Sequence, residues 1–296
     1  AKNSSQPMTI PFVKYQGTGN DFVLIDNRAG AWQDYLAMQV PQHFAGEREL
    51  VAHICHRRLG IGADGLMLLQ NKEGFHFEMV YFNSDGGLSS MCGNGGRCIA
   101  AWAFSLGLGD EIVADATAGF SAEKSLRFWA PDGAHQAWKR SNHQVALSMN
   151  TVSQIIDLGR NQWELNTGSP HFIQFEEGNL EEIDLVGWAR GIRYSDVYMP
   201  AGINVNAVRI LGEGSIAMRT YERGVENETL SCGTGVTAAA IAYINDLGIE
   251  PKTYTKHLVS VETAGGMLQV RFAQQNGRFE EIFLIGPATF VFEGSF

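Results

Sequence analysis

Apolar positions recur along this chain with two different spacings. At 47–59, Leu50, Val51, Ile54, Cys55 and Leu59 fall at helical intervals, and Gly60 stands where a capping glycine belongs. From Phe75 to Phe82 the pattern changes to alternation, with Phe75, Phe77, Met79 and Tyr81 on one face of a strand. Phe22–Ile25, Leu66–Leu69, Val145–Met149, Ile203–Ile210 and Ile216–Tyr221 also read as strands. Val259–Glu262, Met267–Phe272, Glu281–Ile285 and Thr289–Phe292 close the chain in the same way. Two alanine-rich helical runs stand out: one follows Cys92 and stops at Gly107, the other runs from Gly235 to about Leu247 and stops at Gly248. The spacing predicts an acidic helix or helical turn over 176–191 and a strand-like stretch over 112–129. Ala130-Pro131-Asp132-Gly133-Ala134 reads as the first crossing between two halves.

The two helical runs belong to a repeated phrase. Tyr81–Ala101 reads YFNSDGGLSSMCGNGGRCIAA, and Tyr221–Ile241 reads YERGVENETLSCGTGVTAAAI. At an offset of 140 residues Tyr81 falls on Tyr221, Cys92 on Cys232, Gly93 on Gly233, Gly95 on Gly235 and Ala100 on Ala240. Half the 296-residue chain is 148, so the offset is that of a duplicated domain. Each half places a cysteine at the start of a helix.

Composition narrows the class. With 45% hydrophobic and 18% charged residues, the chain can bury a sizeable core, and its length suits two domains. A net charge of −10 argues against nucleic acid or an anionic membrane surface as the main partner. No apolar run approaches the roughly 20 residues of a spanning helix. Residues 1–7 lack the basic start and apolar core of a signal peptide and read as a leader outside the fold, so a cytoplasmic location with reduced thiols is expected. Gly60-Ile61-Gly62-Ala63-Asp64-Gly65 matches a dinucleotide fingerprint, but a helix precedes it and a strand follows, so it reads as a turn.

Candidate chemistry gathers at the two cysteines. A helix start carries unpaired N–H groups and partial positive charge, which lower a thiol pKa and cradle a carboxylate. Two such starts facing one carbon can remove a proton on one side and supply one on the other. That inverts the carbon, and the N–H groups stabilise the enolate-like charge that develops. Neither a metal-spaced cluster nor a phosphate loop is apparent, so neither a metal nor any other cofactor is expected. The plainer readings are packing cysteines or a disulfide; a redox pair as Cys-x-x-Cys is absent. Cys98, six residues beyond Cys92, points roughly 240° away on a helix and reads as structural, as does Cys55. His171, after Gly168-Ser169-Pro170, and Asn20-Asp21, after Gly17-Thr18-Gly19, each read as turn residues when taken alone.

Taken together and in order, GTGNDF (17–22), GIGADG (60–65), NSDGGLSSMCGNGGR (83–97), GSPH (168–171), NVN (204–206), YERGV (221–225) and ETLSCGTG (228–235) resemble the diaminopimelate epimerase family from Tyr15 to the C-terminus. The resemblance implies an α/β (α+β) fold of two pseudo-symmetric domains, each a mixed, barrel-like sheet wrapped around a central helix, with the site between them. It implies halves at 8–134 and 135–284, with 285–296 returning to the first. It further implies cofactor-independent interconversion of LL- and meso-2,6-diaminopimelate in lysine and peptidoglycan precursor synthesis, usually by a homodimer. Carried over residue by residue, Cys92 and Cys232 are the proton-transfer pair, and His171 and Glu222 the polar partners that tune them. Gly93, Asn94, Gly233 and Thr234 hold the reacting carboxylate through backbone N–H groups. Asn20, Asn83, Ser169, Asn204, Glu222 and Arg223 bind the rest of the substrate. Ser169 stands where the family often has Asn, and Glu226-Asn227-Glu228 lengthens the loop before Cys232 by one residue. A proline or hydroxyproline racemase is the nearest alternative, though those resemble Cys-Gly-His at the first cysteine. A redox-responsive amino-acid-binding protein is the alternative outside catalysis.

Overall fold

The computed structural model describes residues 9–112, 122–249 and 253–296. The chain divides into two compact units. The first comprises residues up to Met91, Gly95–Val145 and Ala288–Phe296; the second comprises Cys92–Asn94 and Ala146–Pro287.

In the first unit, β1 (Pro11–Gly17) and β2 (Asn20–Asp26) form a hairpin, and α1 (Ala31–His43) and α2 (Glu47–Cys55) cross to β3 (Gly65–Gln70), parallel to β2. β4 (Phe77–Asn83) returns antiparallel to β3. From there α3 (Gly93–Ser105) and the two-residue β5 (Asp110–Glu111) lead to β6 (Lys124–Ala130), parallel to β4. β7 (Gly133–Lys139) is antiparallel to β6, and the last strand of the chain, β18 (Thr289–Ser295), pairs antiparallel with β1. Strand β3 is apolar on both faces and buried over Gly65–Leu69, as expected of a strand that shares a parallel pairing.

The second unit repeats this plan. β9 (Ile155–Gly159), β10 (Gln162–Asn166) and β11 (Pro170–Phe175) are successive antiparallel strands. α4 (Leu185–Arg193) crosses to β12 (Asn204–Gly212), parallel to β11. β13 (Ser215–Glu222) returns antiparallel and pairs with the short β14 (Asn227–Thr229); α5 (Gly233–Asp246) then crosses to β15 (Thr255–Thr263), parallel to β13. β16 (Gly266–Gln275) and β17 (Arg278–Pro287) complete the meander, and β8 (Gln144–Ser148) pairs with β17. Parallel pairs need crossover connections, and in both units helices supply them at the same two places. Val236 to Ile244 of α5 are all buried, and α5 packs on β10–β13 and β15–β17. A helix apolar all round is the central element of its unit.

The structure amends several sequence expectations. The 47–59 helix ends at Cys55, because the chain wraps back on its C-terminus: Ile61 and Gly62 donate to Ile54 O, and Ala63 donates to Cys55 O. Gly60 is therefore not a helix cap. It lies under this wrap, where a Cβ would sit 2.1 Å from His53 O. Pro131-Asp132 is the turn of the β6–β7 hairpin inside the first unit, whereas the units part after Val145. Within the expected 176–191 segment Leu180–Glu182 is a 3-10 turn, and the α-helix begins only at Leu185 and runs on to Arg193, started by Asp184, whose Oδ1 accepts from Gly187 N at 3.1 Å. Within the expected 112–129 strand, 113–121 lies outside the described residues, as does 1–7. Among the described residues no helix is long and apolar enough to cross a membrane.

Strand pairing also refines the repeat. Gly95 faces Met67 and Phe22, and Gly235 faces Asn206 and His171. Met67 pairs with Tyr81, while Asn206 pairs with Thr220. Phe82, rather than Tyr81, is thus the counterpart of Tyr221. The two loops differ by one residue in length, and that residue falls between the strand and the helix.

Candidate active site

Two Cys-Gly segments meet within the second unit. A Cβ added to Gly93 would lie 3.2 Å from Gly233 Cα, and one added to Gly233 would lie 3.0 Å from Gly93 Cα. Each would also meet Leu284 Cδ2, at 2.8 and 2.9 Å. The first glycine of each Cys-Gly-x-Gly is therefore required by backbone meeting backbone under a leucine. The second is required where the helix lies on a strand: a Cβ on Gly235 would sit 2.9 Å from Asn206 Oδ1 and 3.1 Å from His171 Cε1. Close packing demands these glycines. Asn94 ties the two segments together, its Nδ2 donating to Ser231 Oγ at 3.0 Å.

Cys92 and Cys232 are both half-buried cysteines outside any disulfide and directly before a helix, whereas Cys55 and Cys98 are buried. Cys232 is the N-cap of α5, and its carbonyl accepts from Val236 N at 2.8 Å. Burial, reinforced by the Glu222 carboxylate, pushes the Cys232 thiol up to about 12. The Thr234 hydroxyl and the Gly235 N–H pull the other way and do not prevail. Of the two states a helix start offers, burial and the Glu222 carboxylate favour the protonated one at Cys232.

His171 is fully buried on β11. Its Nε2 lies 2.9 Å from Thr234 Oγ1, and its Nδ1 lies 3.1 Å from Asn206 Nδ2. Thr234 Oγ1 lies in turn 3.4 Å from Cys232 Sγ, so the imidazole reaches this sulfur through Thr234. Burial, aided by the Arg223 charge and opposed by the Asn206 contact, pushes the His171 pKa down to about 3. The ring is neutral.

Around this core the polar residues brace one another. Asn204 donates to Ser169 Oγ at 2.7 Å and to Pro170 O at 2.9 Å, and its Oδ1 accepts from Arg223 N at 2.8 Å. Both Asn204 amide hydrogens are thus spent inside the protein. Ser169, standing where the family often has Asn, is held by Asn204. Arg223 Nη1 donates to Ala201 O at 3.0 Å, which leaves Nε and Nη2 without a protein partner among the described residues. Glu222 ends β13 opposite Asn227. The longer loop is pinned by Glu226, which accepts from Arg193 Nη2, Tyr194 Oη, Tyr221 Oη and Gly224 N, each at 2.9 Å. Burial opposes its charge, but these donors outweigh it and hold Glu226 down to about 2.

In the first unit, Asn20 Nδ2 donates to Asp64 Oδ2 at 2.6 Å. Asp64 and Asp21 share Arg57, and Asp21 also pairs with Lys14 at 2.8 Å. Burial would raise the Asp21 pKa, but hydrogen bonds and charge from Arg57 and Lys14 hold it well below the usual range. Asn83, at the end of β4, pairs with Gly65 and begins a tight turn in which Gly86 N donates to Asn83 O at 2.9 Å. Sequence reasoning missed Asp64, Asn206, Glu226 and the Thr234 side chain. Asn206 left a signal: a second asparagine sharing a face with Asn204 on a strand buried at Asn204–Val208. Among the described residues no cluster of three or more His, Cys, Asp or Glu could hold a metal ion.

The fold is shared with known enzymes. A phenazine biosynthesis protein of the PhzF family from Bacillus anthracis aligns with a TM-score of 0.70 at 14% identity, covering 98% of this chain and 99% of that one. A hydroxyproline epimerase from Agrobacterium vitis aligns with a TM-score of 0.62 at 13% identity, covering 98% and 93%. Sequence then narrows the group. The diaminopimelate epimerase family matches residues 12–126 and 164–291, and a diaminopimelate epimerase of Flavobacterium psychrophilum is 45% identical over 280 residues, 95% of this chain and 97% of that protein. The chain belongs to the diaminopimelate epimerase family.

Proposed function

We propose that this chain epimerises LL-2,6-diaminopimelate to the meso form without a cofactor, using Cys92 and Cys232 as the two proton-transfer groups. The carrying observation is the abutment of Gly93 and Gly233, which brings two Cys-Gly helix openings into one locality. In the first turnover Cys92, as thiolate, takes the α-proton, and Cys232, held protonated by burial, delivers one to the opposite face. Each sulfur then stands in the other's former state, so the reverse reaction runs with the roles exchanged. The N–H groups that open the two helices hold the α-carboxylate and stabilise the charge that gathers on it.

Gly93, Asn94, Gly233 and Thr234 supply those donors. Arg223, with one side of its guanidinium unspent, suits the distal carboxylate, and Glu222 suits an ammonium group. Asn20, Asn83, Ser169 and Asn204 complete the substrate ligands on the family's pattern, Asn204 through its Oδ1. His171 and Glu222 tune Cys232. A cytoplasmic homodimer without nucleic-acid or membrane partners belongs to the same reading, supported by the family resemblance and the net charge of −10.

The test is turnover of LL-diaminopimelate beside L-proline and trans-4-hydroxyproline by reduced protein with no added cofactor. Meso product from the first alone is expected. Cys92→Ala and Cys232→Ala should each lower its rate by about 10³-fold or more while circular dichroism stays unchanged. Turnover of the cyclic amino acids instead would replace this reading with the racemase one.

A further inference from the structure

The hydrogen bonds beneath Cys232 have a direction, and it can be read atom by atom. Asn206 Nδ2 lies 2.9 Å from Phe172 O, a carbonyl that can only accept. The Asn206 amide is therefore oriented with its nitrogen toward β11. Its Oδ1 accepts from Thr220 Oγ1 at 2.9 Å, which fits the same orientation. The second hydrogen on Nδ2 points at His171 Nδ1, 3.1 Å away, so Nδ1 is an acceptor. A neutral imidazole that accepts at Nδ1 carries its hydrogen on Nε2, and that hydrogen goes to Thr234 Oγ1 at 2.9 Å. The Thr234 hydroxyl, already accepting from His171, has its own hydrogen left for Cys232 Sγ at 3.4 Å. Thr220, Asn206 and His171 are all buried, so water does not compete for these links.

We propose that Thr220, Asn206 and His171 form a fixed relay that makes the Thr234 hydroxyl a donor to Cys232 Sγ, with Asn206 setting its direction. No proton leaves the relay. Its effect is on the sulfur: because Thr234 gives a hydrogen bond rather than taking one, the Cys232 S–H is not spent on Thr234. When Cys232 gives up that proton, a donor is already aimed at the resulting thiolate. Other groups act on the same sulfur: the Glu222 and Cys92 charges and burial disfavour the thiolate, and Gly235 N–H favours it. Arg223 acts on His171. Thr220, Asn206 and His171 are then positioning residues that act through Thr234.

The inference rests on Cys232 as a proton carrier, so the test reads thiol ionisation rather than turnover. Iodoacetamide alkylation of Cys232, resolved by peptide mass spectrometry, is followed against pH. Thr234→Val keeps the shape and removes the hydroxyl; alkylation at a fixed pH should fall about tenfold, as one lost charge-assisted donor requires. Thr234→Ser should return it to within about threefold of the unaltered protein. Superimposable profiles for the valine variant and the parent would overturn the proposal. The direction is tested in the unaltered protein by ¹⁵N NMR of labelled histidine. A neutral His171 protonated at Nε2 supports the relay, and one protonated at Nδ1 refutes it. Asn206→Leu should mix the two tautomers; an unchanged Nε2–H form would remove Asn206 from its role. Loss of epimerase activity with normal alkylation profiles would count against the relay and leave the proposed function intact.

Discussion

The beds beneath the two helix openings differ in kind. Gly95 of α3 rests on Met67 and Phe22, and Gly235 of α5 rests on Asn206 and His171. Strand order, parallel pairs and crossover helices repeat from one unit to the other, and the four bed residues occupy corresponding places on β3, β2, β12 and β11. Duplication kept the backbone plan and left the side chains beneath the helix free to diverge. In one copy the bed beneath the second glycine is a methionine and a phenylalanine. The other became a chain of hydrogen bonds ending at a sulfur. Burying polar groups this deeply is tolerated only because each finds a partner, and that need holds the set in one arrangement.

The comparison can be sharpened by adding the same methyl group to both beds. Gly235→Ala pushes a Cβ against Asn206 and His171, neither of which can move without breaking its links, so a loss of about 1–3 kcal/mol is expected together with a large fall in turnover. Gly95→Ala meets the terminal methyl of Met67 at 2.1 Å, an atom on a flexible side chain. The gain in helix propensity, up to about 1 kcal/mol, offsets part of that repacking. Urea unfolding with parallel assays should rank Gly235→Ala as the more damaging; the reverse order would break the comparison.

A smaller effect should appear in acid. His171 is neutral in the fold down to about pH 3, whereas in the unfolded chain it titrates near 6.5. Between those values the unfolded state binds more protons, so His171 costs stability progressively as pH falls below about 6.5 and costs none above it. Phe22 in the other bed has nothing to titrate. His171→Gln should therefore flatten the decline in unfolding free energy between pH 7 and 5. An equally steep decline in the variant would show that His171 is not the buried neutral group described here.

Much of this was legible in the sequence, and the failures have physical reasons. The Cys-Gly-x-Gly frames, the strand alternation of 75–82 and the alanine-rich helices are local patterns, and local patterns survive in one dimension. The glycines could be located but their purpose could not, because the approach of Gly93 to Gly233 joins residues 140 apart in the chain. The relay was hidden for the same reason: His171, Asn206 and Thr234 meet only once parallel pairing sets β11 beside β12 and α5 is laid across them. Helix-start reasoning could not say which cysteine holds its proton, because the burial and the Glu222 carboxylate that raise the Cys232 pKa are set by the fold. The extra residue before Cys232 was visible only against the family's commoner loop; equal spacing from Tyr81 to Cys92 and from Tyr221 to Cys232 hid the difference between the two loops until strand pairing set Phe82 against Tyr221, and the anchor at Glu226 needed Arg193 and Tyr194 from α4 and its end.

The most direct test of the two-thiol account is the reaction in deuterated water. Reduced protein and LL-diaminopimelate, with no cofactor added, are followed by NMR through the first part of the reaction. If one sulfur removes the proton and the other delivers one, meso product appears with deuterium at the inverted carbon while the remaining LL substrate keeps its α-hydrogen. If the LL substrate gains deuterium as fast as the product does, or folded, reduced protein gives no exchange at all, the pairing of Cys92 with Cys232 is contradicted.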